Sequence, residues 1–205
     1  MVVRTALLSE LEAEPKQEGR ASFFFFDTRF AKESVKVLPG EHYVSNKDVV
    51  IGTVLGSCVA ACIYDTGARV GGMNHFMLPD GDSGSGRFGT FAMEVLINEL
   101  IKLGARRGSL ESKVFGGGAM RAGVSTDIGK LNVEFVERFL SMERIPLISK
   151  DVLEQYPRRV VMFPTSGKVM VKRLAPTAVT NSDDERRYAA RVARRVRSGG
   201  EVELF

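Results

Sequence analysis

A cysteine that follows a glycine-serine pair and a histidine seventeen positions later are the residues of this chain best suited to covalent chemistry. Cys58 ends the run Thr53-Val54-Leu55-Gly56-Ser57-Cys58, and His75 is one of two histidines in the sequence. A thiolate is a strong nucleophile, and an adjacent imidazole can take the thiol proton and later deliver it to a leaving group. The pair therefore predicts a cysteine nucleophile with a histidine base.

The chain between Cys58 and His75 predicts a β-hairpin that brings the two side chains together. Two apolar runs, 59–64 and 70–78, flank the turn-like tetrapeptide Asp65-Thr66-Gly67-Ala68. If the strands fold back symmetrically about Thr66 and Gly67, Cys58 lies directly opposite His75, with Cβ atoms about 4.5 to 5.5 Å apart. The alternative is a buried small cysteine and an unrelated histidine, because unpaired cysteine is among the most buried residue types.

Catalysis by such a pair also needs an oxyanion site and a group that orients the imidazole. Gly56 and Ser57 let the backbone approach a substrate closely, so that backbone amides near the thiol can bind the oxyanion. Thr53, Ser57 and Asn74 are the nearby side chains that can hydrogen-bond the imidazole. Strand alternation places Asn74 on the face opposite His75, which favours Thr53. The alternative for Thr53 is an ordinary β-branched strand residue.

In a series of separated motifs, the chain resembles the CheD family of bacterial chemoreceptor glutamine deamidases. The motifs occupy 53–62, 71–79, 115–120, 132–136 and 156–160, and the resemblance covers roughly residues 23 to 174. It implies hydrolysis of the side-chain amide of particular glutamines on methyl-accepting chemotaxis receptors, by a Cys/His pair assisted by a threonine. The matching cysteine and histidine are Cys58 and His75, and Thr53 is the threonine that can take the third place.

The implied reaction passes through a thioester on Cys58, and His75 protonates the departing ammonia before it activates water. No metal or organic cofactor is expected, since the spacing of the cysteines and histidines matches no zinc pattern. Two alternatives stay open. One is a non-catalytic chemotaxis adaptor that binds receptors or a signalling phosphatase, and the other is transglutaminase-like transfer, in which an amine intercepts the thioester.

The resemblance also implies partners, namely the cytoplasmic helices of the receptors and a CheC-type phosphatase. Composition fits a soluble enzyme of the cytoplasm: 44% of the 205 residues are hydrophobic, which is enough for one sizeable core. Membrane insertion and export are not expected, because no apolar run approaches the roughly 18 residues of a membrane span and a signal-peptide layout is lacking. Cys62 is expected to be a buried thiol, because four strand residues place it about 13 Å from Cys58.

Charge and patterning divide the chain into three parts: a flexible leader at 1–22, the deamidase domain at 23–174, and a charged extension at 175–205 that contains an amphipathic helix. Six arginines lie between Arg186 and Arg197, beside an apolar stripe. With a net charge of only +4, this pattern favours a docked or partner-contacting helix over nucleic-acid binding.

The order of the predicted elements indicates an α+β fold, with mixed or antiparallel sheets built on hairpins and at least two packed helices in a single domain. Strands are predicted at 34–38 and 48–54, then in the hairpin around 66–67, and in a second hairpin at 159–163 and 168–174. The aromatic run 23–26 is expected to dock on the body of the fold. The glycine- and serine-rich run 80–86 predicts a loop.

Two helices are predicted from apolar periodicity. The first spans 91–103, with Leu103 and Ile101 on its apolar side and Gly104 at its end. The second spans 133–142, with Asn132 as N-cap. Gly116-Gly117-Gly118 lacks the lysine of a phosphate loop and predicts a tight turn close to another backbone.

Overall fold

The computed structural model describes residues 5–78, 85–119 and 128–175. Within these ranges the chain forms three α-helices and ten strands. The helices are α1 (Ala6–Glu12), α2 (Ser85–Lys102) and α3 (Ile128–Met142). The strands are β1 (Phe23–Asp27), β2 (Lys32–Lys36), β3 (His42–Ser45), β4 (Val50–Leu55), β5 (Val59–Asp65), β6 (Val70–Asn74), β7 (Glu111–Gly116), β8 (Leu147–Val152), β9 (Arg158–Phe163) and β10 (Lys168–Arg173).

The strands form two five-stranded sheets. The first sheet has the order β3-β6-β5-β7-β8, and the second has the order β1-β2-β4-β9-β10. Each sheet is antiparallel except for one parallel pair, β7 with β8 in the first sheet and β2 with β4 in the second. The two predicted hairpins, β5-β6 and β9-β10, are present. The predicted α+β class is confirmed.

The two cores follow from strand alternation, because successive side chains of the first sheet point to opposite faces. One face of this sheet packs against α2 and α3 and buries Val59, Ala61 and Ile63 of β5. The other face packs against the second sheet and buries Cys58, Ala60 and Cys62. The layers are therefore sheet, sheet and helices, and Cys58 lies in the core between the two sheets.

The helix α2 begins earlier than predicted, so Ser85 and Gly86 belong to it, while the rest of the predicted loop lies outside the described residues. Its end agrees with the sequence, because Gly104 has φ +100 and the Ala105 N–H donates to the Leu100 carbonyl, as in a Schellman cap. The inclusion of Ile101 and Leu103 in the buried stripe was wrong. Each is 39% exposed, whereas Leu100 of the same turn is fully buried.

The predicted N-cap role of Asn132 is wrong. The helix α3 starts at Ile128, so Asn132 lies in its second turn, and its side chain is fully buried. Asn132 shares the buried side of the helix with Val136 and Phe139. A polar side chain on an apolar stripe must be hydrogen-bonded to be tolerated, and its partners are backbone groups of the candidate site.

The register of the β5-β6 hairpin differs from the prediction by two residues. Asp65 pairs with Val70, so the turn contains 66–69 instead of two residues. The reason is Asp65, whose carboxylate accepts hydrogen bonds from the Ala68 N–H at 3.1 Å and the Arg106 N–H at 3.0 Å. Arg69 adopts φ 55 to complete this wider turn.

The N-terminal residues do not match the predicted flexible leader. α1 is capped by Thr5, and its Leu8 and Leu11 are buried against the body of the protein. The predicted docking of the aromatic run 23–26 is confirmed in part. Phe24 packs edge-on against Tyr43, whereas Phe23 is 59% exposed. The predicted amphipathic helix of 175–205 lies outside the described residues apart from residue 175.

Within the described ranges, no helix has the length and apolar character that crossing a membrane requires.

Candidate active site

Cys58 and His75 lie at the open end of the β5-β6 hairpin, Cys58 one residue before β5 and His75 one residue after β6. In the observed register Val59 pairs with Phe76, which places Met77 opposite Cys58. His75 is therefore a diagonal neighbour of Cys58, not its direct partner. A shift of two residues preserves the face, so both side chains point into the core between the sheets. Diagonal neighbours in a regular sheet are about 7 to 8 Å apart, and their Cβ atoms are somewhat closer.

Thr53 contacts His75 from the facing sheet. Its Oγ1 atom lies 2.9 Å from Nδ1 of His75, and it also donates to the Val37 carbonyl at 2.7 Å. Thr53 belongs to β4 of the second sheet, whereas His75 follows β6 of the first. The imidazole is therefore held between the two sheets by a hydrogen-bonded chain that ends on the backbone of Val37.

This chain determines which ring nitrogen of His75 carries the proton. A threonine hydroxyl has one hydrogen, and the Val37 carbonyl can only accept it. Thr53 must then accept a hydrogen bond from His75, so the proton of the neutral ring lies on Nδ1. The lone pair lies on Nε2, which is buried and has no hydrogen-bond partner within the described part of the chain. Such a nitrogen can act as a base.

Burial keeps His75 neutral at physiological pH. The side chain is 1% exposed, and desolvation lowers its pKa from 6.5 to about 4. The Val37 carbonyl opposes this shift, and the charge of Lys36 adds to it. A neutral imidazole with a lone pair on Nε2 is the form that accepts a proton from a thiol.

The backbone of His75 is fixed by the turn that follows β2. The Gly40 N–H donates to the His75 carbonyl at 2.7 Å, and the His75 N–H donates to the Glu41 carbonyl at 2.9 Å. The turn is closed by a bond from the Glu41 N–H to the Leu38 carbonyl at 2.9 Å. The turn that contains Pro39 and Gly40 thus positions the histidine.

The backbone carbonyl groups of residues 56, 57 and 58 each accept a hydrogen bond. The donors lie in the segment that follows β7 and in α3. The Gly118 N–H donates to the Gly56 carbonyl at 2.8 Å, and the Gly117 N–H donates to the Cys58 carbonyl at 2.7 Å. Asn132 Nδ2 donates to the Ser57 carbonyl at 3.0 Å. The peptide planes on both sides of Cys58 are therefore fixed.

Glycines at two positions let α3 approach this segment. Gly117 has φ +65, and a Cβ atom there would lie 2.5 Å from the Val133 side chain and 2.8 Å from the Gly129 carbonyl. A Cβ atom at Gly129 would lie 2.4 Å from the Gly117 carbonyl. The prediction that the glycine run lies close to another backbone is confirmed. This close contact brings Asn132 within reach of Ser57.

The second cysteine and second histidine lie away from this arrangement. Cys62 is in the middle of β5, paired with Met73 on one side and Lys113 on the other, and burial raises the pKa of its thiol. His42 is in the edge strand β3, where partial burial lowers its pKa. Neither cysteine forms a disulfide. Over the ranges that the structure describes, no three His, Cys, Asp or Glu side chains are grouped so as to hold a metal ion.

Sequence reasoning placed Thr53 beside His75 but missed Val37 and Asn132. The role of Val37 is carried by its carbonyl oxygen, so no side-chain pattern reports it. Asn132 had a signal, because it lies four positions before Val136 on the buried stripe of α3. A buried amide on an apolar helix face needs polar partners, and these are at the candidate site.

Fold and site define a class of α+β proteins with two packed sheets, in which a buried cysteine and histidine flank the open end of one hairpin. Residues 77–173 match the family model described as CheD chemotactic sensory transduction. A probable chemoreceptor glutamine deamidase CheD 1 of Albidiferax ferrireducens is 54% identical over 202 residues, which are 97% of this chain and 86% of that protein. The chain belongs to the CheD family.

Two further proteins are similar to this chain, one closely in sequence and one only weakly in structure. A probable chemoreceptor glutamine deamidase CheD of Janthinobacterium sp. (strain Marseille) is 46% identical over 208 residues, covering 94% of this chain and 99% of that protein. The crystal structure of the Bacillus licheniformis hypothetical protein YfiH gives a TM-score of 0.36 at 11% identity, over 55% of this chain and 50% of that one. The latter similarity is too low to support a statement about function.

Proposed function

We propose that this protein deamidates glutamine side chains of chemoreceptors, with Cys58 as nucleophile, His75 as general base and acid, and Thr53 as the residue that orients His75. The observation that carries the proposal is the hydrogen-bonded chain from His75 Nδ1 through Thr53 to the Val37 carbonyl. It leaves the Nε2 lone pair on the face that His75 shares with Cys58. The names of the similar proteins support glutamine as substrate.

In the first half of the reaction, Nε2 of His75 accepts the Cys58 proton while the sulfur attacks the carboxamide carbon of a receptor glutamine. Backbone N–H groups near Cys58 bind the oxyanion of the tetrahedral intermediate. The imidazolium then returns its proton to the nitrogen of the substrate, and the carbon–nitrogen bond breaks. Ammonia leaves, and the acyl group remains on the sulfur as a thioester.

In the second half, His75 is neutral again and takes a proton from water as the water oxygen attacks the thioester carbon. The carbon–sulfur bond breaks, and the proton returns to the sulfur. The product is a glutamic acid side chain, which releases its proton to solvent at neutral pH, so each turnover adds one negative charge to the receptor. A new carboxylate on a helix changes its interactions with charged neighbours three and four residues away.

We place the reaction in the cytoplasm, on the cytoplasmic helices of the receptors. A CheC-type phosphatase as a binding partner stays a prediction from the resemblance. A purely non-catalytic adaptor has no use for a buried base whose tautomer is fixed, which favours the enzyme over that alternative.

The test is ammonia release from a purified receptor cytoplasmic fragment, with mass spectrometry of the fragment to locate new glutamates. Cys58→Ala is expected to abolish turnover and to leave the fold intact. Cys62→Ala is the matched control, because the two cysteines are equally buried in the same core. It is expected to retain turnover. Ammonia release by Cys58→Ala at the wild-type rate would show that the proposal is wrong.

A further inference from the structure

The side chain of Asn132 takes a position in the β5-β6 ladder that backbone groups normally occupy. Val59 and Phe76 exchange two hydrogen bonds, each of 2.9 Å. In an antiparallel pair such hydrogen-bonded positions recur at every second residue, so the next pair along the hairpin is Ser57 with Leu78. There, the Leu78 N–H donates to Oδ1 of Asn132 at 2.7 Å, and Nδ2 of Asn132 donates to the Ser57 carbonyl at 3.0 Å.

The inserted carboxamide separates the two strands at the Ser57-Leu78 pair, next to Cys58. The side-chain amide of Asn132 thus accepts a hydrogen bond from the strand that carries the histidine and donates one to the strand that carries the cysteine. Asn132 is fully buried, so its orientation is fixed by these two bonds and by the packing of α3 against Gly117. The strands diverge where the substrate carboxamide must approach the thiol.

The bond to Ser57 also sets the direction of the Cys58 N–H. In a trans peptide the carbonyl and the following N–H point in opposite directions, because the unit is planar. Holding the Ser57 carbonyl on Asn132 therefore aims the N–H of Cys58 away from α3. The Gly118 bond to the Gly56 carbonyl fixes the N–H of Ser57 in the same manner.

We propose that Asn132 is a positioning residue for deamidation, which holds the Ser57-Cys58 peptide so that the Cys58 N–H donates to the oxyanion. The inference rests on the proposed function, since an oxyanion forms only if Cys58 attacks an amide. Asn132 does not touch the substrate. Its loss reduces stabilisation of the tetrahedral intermediate and leaves the thiol and its base in place.

The first variant is Asn132→Asp, which retains an acceptor for the Leu78 N–H and loses the amide donor to Ser57. We expect kcat to fall by about 100-fold with KM little changed, the size of effect seen when one oxyanion donor is lost. Because a protonated carboxyl group can donate again, the ratio of variant to wild-type kcat is expected to rise as pH falls. A residue with only a structural role gives no such pH-dependent recovery.

Alkylation of Cys58 by iodoacetamide measures the reactivity of the nucleophile independently of oxyanion stabilisation. This reaction needs the thiol and its base but forms no oxyanion, so Asn132→Asp is expected to be alkylated at Cys58 as fast as the wild type. Asn74→Asp is the matched control. Asn74 is also a buried amide between backbone groups, accepting from the Ala61 N–H at 2.9 Å and donating to the Ala92 carbonyl at 3.1 Å, but it links β5 to α2 instead of bridging the two strands of the hairpin. Its kcat per folded molecule is expected to be unchanged.

The inference is supported if deamidation falls and alkylation does not. It is overturned if kcat per folded molecule stays at the wild-type value, or if deamidation and alkylation fall together. Asn132→Leu, which removes both hydrogen bonds at similar size, is the second variant, and failure of both variants to fold would show a structural residue and overturn the inference. Wild-type and Cys58→Ala controls run in parallel, because turnover without Cys58 overturns the proposed function itself, whatever Asn132 does.

Discussion

Thr53 accepts a hydrogen bond from Nδ1 of His75, at 2.9 Å, across the interface between the two sheets. The direction of this bond follows from the second bond of Thr53, in which its hydroxyl donates to Val37. The proposed base is thus oriented by a residue on the other sheet. The packing of the two sheets therefore also fixes the orientation and the tautomer of His75.

Replacing Thr53 by valine should strongly reduce turnover and have only a small effect on the free energy of unfolding. Valine has nearly the shape of threonine but no acceptor for Nδ1–H, so the neutral ring is free to take the other tautomer. We expect kcat to fall by about 100-fold, the lower end of what general acid–base catalysis contributes. Ammonia release measures this loss. Thr53→Ser restores the hydroxyl and should recover most of the activity, and equal activities of the valine and serine variants would contradict the orienting role.

The buried His75 should make the protein less stable in mild acid. Burial lowers its pKa from 6.5 to about 4, so between these values the unfolded chain binds a proton that the native protein excludes. Stability is therefore fully present above pH 6.5 and falls as the pH approaches 4, with a slope of up to about 1.4 kcal/mol per pH unit.

Urea unfolding of the wild type and His75→Asn at pH 7 and pH 5 tests this dependence. We expect the loss between the two pH values to be about 2 kcal/mol larger in the wild type. His42, whose pKa is also lowered, is present in both proteins, so its contribution cancels in the difference. Equal losses in the two proteins would show that His75 is not the titrating group.

Strand alternation explains why the sequence predicted the right face for Cys58 and His75 with the wrong register. Side chains alternate with a period of two, and the error was also two residues. The register depends on Asp65, which binds the Arg106 N–H, and no local pattern reveals a partner 41 positions away. The contact between Asn132 and Ser57 spans 75 positions and was hidden for the same reason.

Adding a methyl group at Gly117 should destabilise the protein more than adding one at Gly104. Both glycines have positive φ, but a Cβ atom at Gly104 has no neighbour within 4 Å, whereas at Gly117 it would overlap Val133. Backbone strain alone costs about 1 to 2 kcal/mol, and overpacking adds about 1 to 3 kcal/mol at Gly117. Urea unfolding of Gly117→Ala and Gly104→Ala measures the difference. Equal free energies of unfolding would contradict the close approach of α3.

Iodoacetamide should modify Cys58 and spare Cys62, although both side chains are fully buried. Accessibility does not distinguish the two thiols, but their chemistry does. Cys58 lies in a segment outside the strands, on the face that bears the Nε2 lone pair of His75. Cys62 is paired on both sides within β5, and burial raises the pKa of its thiol. A thiol near a base forms the reactive thiolate more readily, so we expect Cys58 to react at least about tenfold faster.

Peptide mapping after alkylation gives the two rates in one sample, and His75→Asn is the decisive variant. Without the imidazole, the rate at Cys58 is expected to fall towards that of Cys62, because the base that takes the thiol proton is then missing. If Cys58 reacts equally fast with and without His75, its reactivity comes from access alone. His75 would then not serve as the base of the pair.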